Sequence, residues 1–212
     1  MIRQAVICTS ITCAIAILPV AAQQVSSPNA VATDSVQKRL IPGTDYELVF
    51  GSVMFSPPDN HAANVLLATL TLWTAKQSGL PESPELPKLV FVTPAKMADV
   101  RYKGLLGANV TRTRSVGNTA PRETVAVYDD ATKTIYLREG WTGQTPAELS
   151  ILVHELVHHL QNLGRIKHEC PQERERVAYR VQNQWLWLFD SDLERAFDID
   201  PMTLLATTTC GY

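Results

Sequence analysis

The chain has 212 residues, 45% of them hydrophobic, with 19 basic and 21 acidic side chains. That length supports one domain with a substantial core and is marginal for two. A slightly acidic balance without a basic stripe argues against a nucleic-acid-binding surface.

Residues 1–22 have the pattern of a signal peptide. Arg3 supplies a positive charge, an apolar run extends from Ala5 to Val20, and Val20-Ala21-Ala22 places small residues at a cleavage site after Ala22. A membrane anchor is the weaker alternative. Thr9, Ser10, Thr12 and Pro19 interrupt the run, which falls short of the roughly 20 apolar residues a span needs. No later stretch is long and uncharged enough to cross a bilayer, so the expectation is an exported protein, periplasmic or secreted, that is free of the membrane once cleaved. Cleavage would remove Arg3, Cys8 and Cys13, leaving 18 basic against 21 acidic residues and a net charge of −3. The two remaining cysteines, Cys170 and Cys210, are expected to pair in an oxidising compartment rather than stay free thiols.

Residues 23–35 are small and polar and are expected to form a disordered leader; residues 36–212 then make the domain. Tyr46–Phe55 is a candidate strand, although Gly51 interrupts it. Asn60 is placed to cap a helix to about Gln77, with Val65, Leu66, Ala68, Leu72 and Trp73 at helical spacing. Gly79, Pro81, Pro84 and Pro87 end it. Leu89–Val92 suits a short buried strand stopped by Pro94. Lys103–Arg122 lacks periodicity and suits either a functional surface loop or plain disorder. Val125–Tyr128 and Ile135–Leu137 flank Asp129-Asp130-Ala131-Thr132 and predict a β-hairpin. Thr145, Pro146 and Glu148 form a capping-box signature for a helix that stops at Gly164. A last helix is expected from Pro171 to Phe189. The order implies an α+β fold with a small, mostly antiparallel sheet.

His154-Glu155-Leu156-Val157-His158 is an HExxH motif. Two histidines four apart on a helix can present nitrogens to one zinc ion, with the intervening glutamate beside the open position as a base. Taking about 100° per residue from His154, the apolar residues Leu149, Leu152, Val153, Leu156, Leu160 and Leu163 fall between about 160° and 260°. His158 lies at about 40° and Glu155 at about 100°, so the histidine pair faces away from the apolar stripe. A core histidine would lie on the stripe. His159, at about 140°, flanks the stripe and is not expected to share the ion.

Zinc needs a third protein ligand and an open position. The metzincin pattern would put glycine and histidine where Gln161 and Gly164 stand, so it is not met. His168 is a candidate in a polar loop; Glu173 and Glu175 are stronger ones on the last helix. Ala178, Tyr179, Gln182, Trp185, Leu186 and Phe189 all lie within about 80° of Glu175, whereas Glu173 lies about 160° away among Arg176, Arg180 and Gln184. A carboxylate on an apolar face requires a partner, which makes Glu175 the expected ligand beside His154 and His158.

At this point the sequence resembles the gluzincin metallopeptidases. Their second motif is a glutamate on a later helix with a small residue three positions on and a polar one four on, as in Glu175-Arg176-Val177-Ala178-Tyr179. The likeness spans roughly Val125 to Phe189. It implies peptide hydrolysis in which zinc acidifies its water and Glu155 takes the proton, with substrate pairing along Ile135-Tyr136-Leu137. Many gluzincins carry at the Tyr179 position an aspartate that orients the first histidine, which leaves the role of Tyr179 open. Tyr128, Tyr136, Tyr179 and Arg138 are candidate oxyanion stabilisers, although for each taken singly a structural use is the stronger reading. The chain is also similar to an uncharacterised family of exported bacterial proteins with zincin-like motifs. Two alternatives to a peptidase stand: a zinc amidase acting on a non-peptide or cell-wall bond, and a zinc-bound binding module. A glutamate retained at position 155 argues against the latter.

Overall fold

The computed structural model describes residues 38–50, 55, 61–101 and 125–211. The expected signal peptide, leader and Lys103–Arg122 loop lie outside these residues, as do Gly51 and Asn60. Among the described residues the order is β1 (Lys38–Leu40), β2 (Glu47–Val49), α1 (His61–Ser78), β3 (Lys88–Val92), α2 (Pro94–Arg101), β4 (Ala126–Asp129), β5 (Thr134–Arg138), α3 (Pro146–Leu163), α4 (Pro171–Trp187), α5 (Leu193–Phe197) and α6 (Pro201–Thr208). β1 and β2 pair antiparallel. The second sheet has the order β3-β5-β4, with β3 parallel and β4 antiparallel to the central β5. This is a small α+β fold whose sheets are mostly antiparallel.

The predicted hairpin is β4–β5. Its turn is set locally: Asp129 Oδ1 accepts the Ala131 amide at 3.0 Å, and Lys133 takes the left-handed conformation at φ 51°. The central place of β5 corrects the expected docking of substrate along Ile135-Tyr136-Leu137, because both edges of that strand are already paired. Among the described residues, β4 is the strand of this hairpin with a side left over.

The capping box of α3 forms as expected: Thr145 Oγ1 accepts the Glu148 amide at 3.1 Å, and Glu148 Oε2 accepts the Thr145 amide at 3.3 Å. Glu148 also gathers the preceding loop by accepting from the Gln144 amide and the Thr142 hydroxyl. The helix ends at Gly164, but the left-handed residue is Arg165, at φ 50°. A larger residue at 164 would be tight: a Cβ there would stand 3.2 Å from the Leu160 carbonyl oxygen and 3.3 Å from Ile166, so these neighbours would have to give way slightly.

Three differences from the sequence reading have local causes. Pro94 ends β3 and also opens α2, since proline suits the first helical turn; Thr93 caps it, its Oγ1 accepting the Lys96 amide at 3.3 Å. The buried face of α1 carries Ala63, Leu66, Leu67, Leu70, Trp73 and Thr74, while Val65 and Leu72 of the expected stripe are exposed. That helix is apolar on most sides, so spacing alone did not choose the face. Finally, α5 and α6 start at the aspartate caps Asp192 and Asp200.

The core lies where α1, α3 and α4 meet the three-stranded sheet. Leu66, Leu70, Ile135, Leu137, Leu149, Leu152, Leu156 and Trp185 are fully enclosed, and Trp73 packs edge-on against Trp185 with ring centroids 5.2 Å apart. The apolar stripe of α3 is thus spent on the core, which turns the histidine face toward α4.

Cys170 and Cys210 form a disulfide with Cα atoms 5.9 Å apart. Cys170 is the N-cap of α4, and the bond ties α6 beside that helix. Asp200 anchors the other end of α6, accepting the Met202 and Thr203 amides at 2.8 and 2.9 Å, and hydrogen bonds from Thr203 help hold its carboxyl below the usual range. No residue of α6 is buried. Opening the bond, which closes a 40-residue loop, is therefore expected to cost about 4 kcal/mol by loop-closure entropy. Thermal unfolding with and without reductant measures this. Metal retention should fall with it, because the bond fixes the start of the helix that carries Glu175; unchanged values would show that α4 is held by packing alone.

Candidate metal centre

His154 and His158 stand one turn apart on α3, and Glu175 sits on the first turns of α4, which packs across them. His154 Nε2 lies 3.2 Å from His158 Nε2 and 3.1 Å from Glu175 Oε2, and His158 Nε2 lies 3.4 Å from Glu175 Oε1. One ligand atom from each residue falls within 4.8 Å of the others, so the trio could hold a metal ion. Two imidazole nitrogens and a carboxylate turned toward one point suit a cation, and three such ligands leave a position open for a fourth.

The group is electrostatically coupled. Burial opposes the charging of His154, but its hydrogen bond to Glu175 and the charges of Glu155 and Glu175 outweigh burial and raise its pKa. Burial likewise opposes ionisation of Glu175, yet hydrogen bonds from His154 and His158 hold its carboxyl well below the usual carboxylate range. Glu175 is thus held as a carboxylate, and a cation bound here would take the place of the hydrogens that the two imidazoles turn toward it.

All three residues line a cavity of about 620 Å³. Glu155 and Tyr179 line it too. Glu155 is 8% exposed, and the Tyr179 ring meets His154 edge-on with centroids 4.7 Å apart. One side of the cavity is β4, through Ala126, Val127 and Tyr128, and Ala206 and Thr207 of α6 also face it.

Two glutamines complete the site, and sequence reasoning had not given either a role there. Gln182 Oε1 lies 2.9 Å from His154 Nδ1, and Gln182 Nε2 donates to Ser150 Oγ at 3.2 Å. Gln182 therefore meets the first histidine of the motif on the ring nitrogen opposite the one turned to Glu175. The available signal was an amide on the apolar face of α4, two turns after Glu175. Gln161 Oε1 lies 3.0 Å from His158 Nδ1, and its Nε2 donates to the Arg174 carbonyl at 3.1 Å. Arg174 Nε also lies 3.1 Å from the same His158 nitrogen, while its terminal nitrogens pair with Asp130 at 2.6 and 2.7 Å. His158 Nδ1 thus stands between an acceptor and a donor. With Gln161 as its acceptor, the lone pair of Nε2 is left for a cation.

The remaining candidates fall outside the trio. His159 is fully buried, with Nε2 2.8 Å from the Glu85 carbonyl oxygen and Nδ1 3.1 Å from Tyr128 Oη. Burial lowers its pKa, against the hydrogen bond to Glu85. The Tyr128 hydroxyl also accepts from Asn162 Nδ2 at 2.9 Å, so it is engaged in tying β4 to α3. Tyr136 and Arg138 lie on β5 and do not line the cavity. Glu173 turns away from the trio, accepting the Glu169 amide at 2.7 Å and pairing with Arg176 at 3.2 Å. His168 borders a separate, smaller cavity.

No curated protein and no solved structure matches the chain. Residues 59–212 match the family model described as Domain of unknown function (DUF6647), a stretch that contains every residue of the metal-binding group. The chain therefore belongs to the DUF6647 family.

Proposed function

We propose that the protein is a zinc-dependent hydrolase acting on peptide bonds. The observation that carries this reading is the convergence of His154, His158 and Glu175 at a cavity that Glu155 also lines. Nitrogen and carboxylate donors in this number suit zinc, and imidazole-rich sites take it readily. Zinc, when bound, supplies Lewis acidity to the attacking water and to the substrate carbonyl.

The side chains divide the remaining work. His154, His158 and Glu175 hold the ion. Glu155, buried at the cavity wall, removes the proton of the attacking water and can deliver it to the leaving amine. Tyr179, whose ring lies against His154 and lines the cavity, would donate its phenolic hydrogen to the oxygen that gains charge. An extended peptide fits along β4 as an added strand, since main-chain pairing needs no particular side chain. The likeness of Glu175-Arg176-Val177-Ala178-Tyr179 to the gluzincin motif supports a peptide substrate. The disulfide supports an oxidising, exported location, and among the described residues no helix is long and apolar enough to cross a membrane.

Metal analysis combined with a peptide-library digest tests the proposal, with cell-wall fragments as a parallel substrate. The expected result is about one zinc per chain and peptide cleavage abolished by a chelator. Turnover of cell-wall fragments alone would replace the peptidase by an amidase. Metal binding without either turnover would leave a binding module.

A further inference from the structure

We propose that Gln182 is the positioning residue that fixes the proton of His154 on Nδ1 and so presents the Nε2 lone pair to the metal, with Ser150 locking the amide in place. The proposal rests on the metal-centre reading and adds a residue outside the ligand set.

The direction of the hydrogen bonds follows from one backbone group. The Ala147 carbonyl can only accept, so at 2.7 Å it receives the Ser150 hydroxyl hydrogen. Having given its hydrogen away, Ser150 Oγ accepts from Gln182 Nε2 at 3.2 Å. That orients the amide with Oε1 toward His154 Nδ1, 2.9 Å away, where a carbonyl oxygen can only accept. His154 must therefore carry a hydrogen on Nδ1, which leaves Nε2 directed at His158 and Glu175. Reversing the amide would set an N–H against Nδ1 and a carbonyl against a hydroxyl that has no hydrogen left. Ser150 is fully enclosed and Gln182 is 5% exposed, so water offers little substitute.

An amide is also a different partner from a carboxylate. It orients the ring without adding negative charge, so Glu175 remains the only anion among the three ligands and these supporting groups.

The test is zinc affinity by chelator competition, together with the imidazole N–H resonances of the zinc-loaded protein. Gln182→Leu fills similar space without an acceptor. It should weaken zinc binding about 10- to 100-fold, the usual effect of losing an outer partner of a histidine ligand, and should shift or remove the His154 Nδ1–H signal. Gln182→Glu keeps the acceptor at His154 although it loses the donor to Ser150 Oγ, and should recover most of the affinity lost in Gln182→Leu, a rescue that packing alone does not predict. A folded Gln182→Leu protein with parental affinity would overturn the proposal. Should that variant fail to fold, Ser150→Ala decides: freeing the amide should cost roughly 3- to 10-fold in affinity, below the loss of the whole partner, and no change would overturn the idea. A parent protein that binds no zinc would overturn the metal-centre reading and this proposal with it, an outcome distinct from parental affinity in Gln182→Leu.

Discussion

Replacing Glu155 with glutamine is expected to leave zinc in place and to lower turnover by about 10²- to 10⁴-fold or more, the range over which a positioned general base contributes. Glutamine preserves the shape of the side chain in its 8%-exposed position and removes only the basic oxygen. Glu155 is not one of the three convergent ligands, so metal content should not change. Stoichiometric zinc with lost activity would separate the base from the ligands. An active Glu155→Gln protein would remove Glu155 from the mechanism and leave the metal centre standing, whereas loss of both metal and activity would make Glu155 part of the binding set.

Removing a ligand should have the opposite signature. His158→Ala or Glu175→Ala is expected to weaken zinc binding by more than the roughly 10- to 100-fold that an outer partner is worth, with activity lost in proportion. Glu173→Ala is the matched control. Its carboxylate lies two residues from Glu175 but turns to the Glu169 amide and Arg176, so zinc affinity should stay parental. Equilibrium competition against a calibrated chelator measures all three. If Glu173→Ala weakened zinc as much as Glu175→Ala, the assignment of the third ligand would be wrong.

The centre was legible in the sequence because it depends on helical spacing. A strong apolar stripe on α3 fixed which way His154 and His158 face, and the wheel of α4 separated Glu175 from Glu173; Glu175 does meet the histidines while Glu173 turns to Glu169 and Arg176, but the expected contrast in burial is absent, the two side chains being 35% and 29% exposed. The hairpin was legible from its turn residues, and the cysteine pair from its even count. Less was legible where the outcome depends on what lies across from a residue. No local pattern states that β5 is central, because its parallel partner β3 comes from far upstream. Gln182 and Gln161 act through His154 and His158, and neither contact can be known until α3 and α4 are set against each other. Helix α1 misled because it is apolar on most sides. Short helices such as α5 and α6 carry too few residues for periodicity and announce themselves only by their aspartate caps.

The helix that buries nothing has a consequence for the order in which the protein becomes competent. His154 and Glu175 are only 21 residues apart, so the ligand trio belongs to a helical hairpin whose contacts are local and can form early. The α6 side of the cavity depends on joining Cys170 to a residue 40 positions downstream. Metal capture and completion of the cleft are thus separable in time. A chain kept reduced is expected to bring the trio together with a weaker hold on Glu175 and without the α6 wall of the cavity, and oxidation secures both.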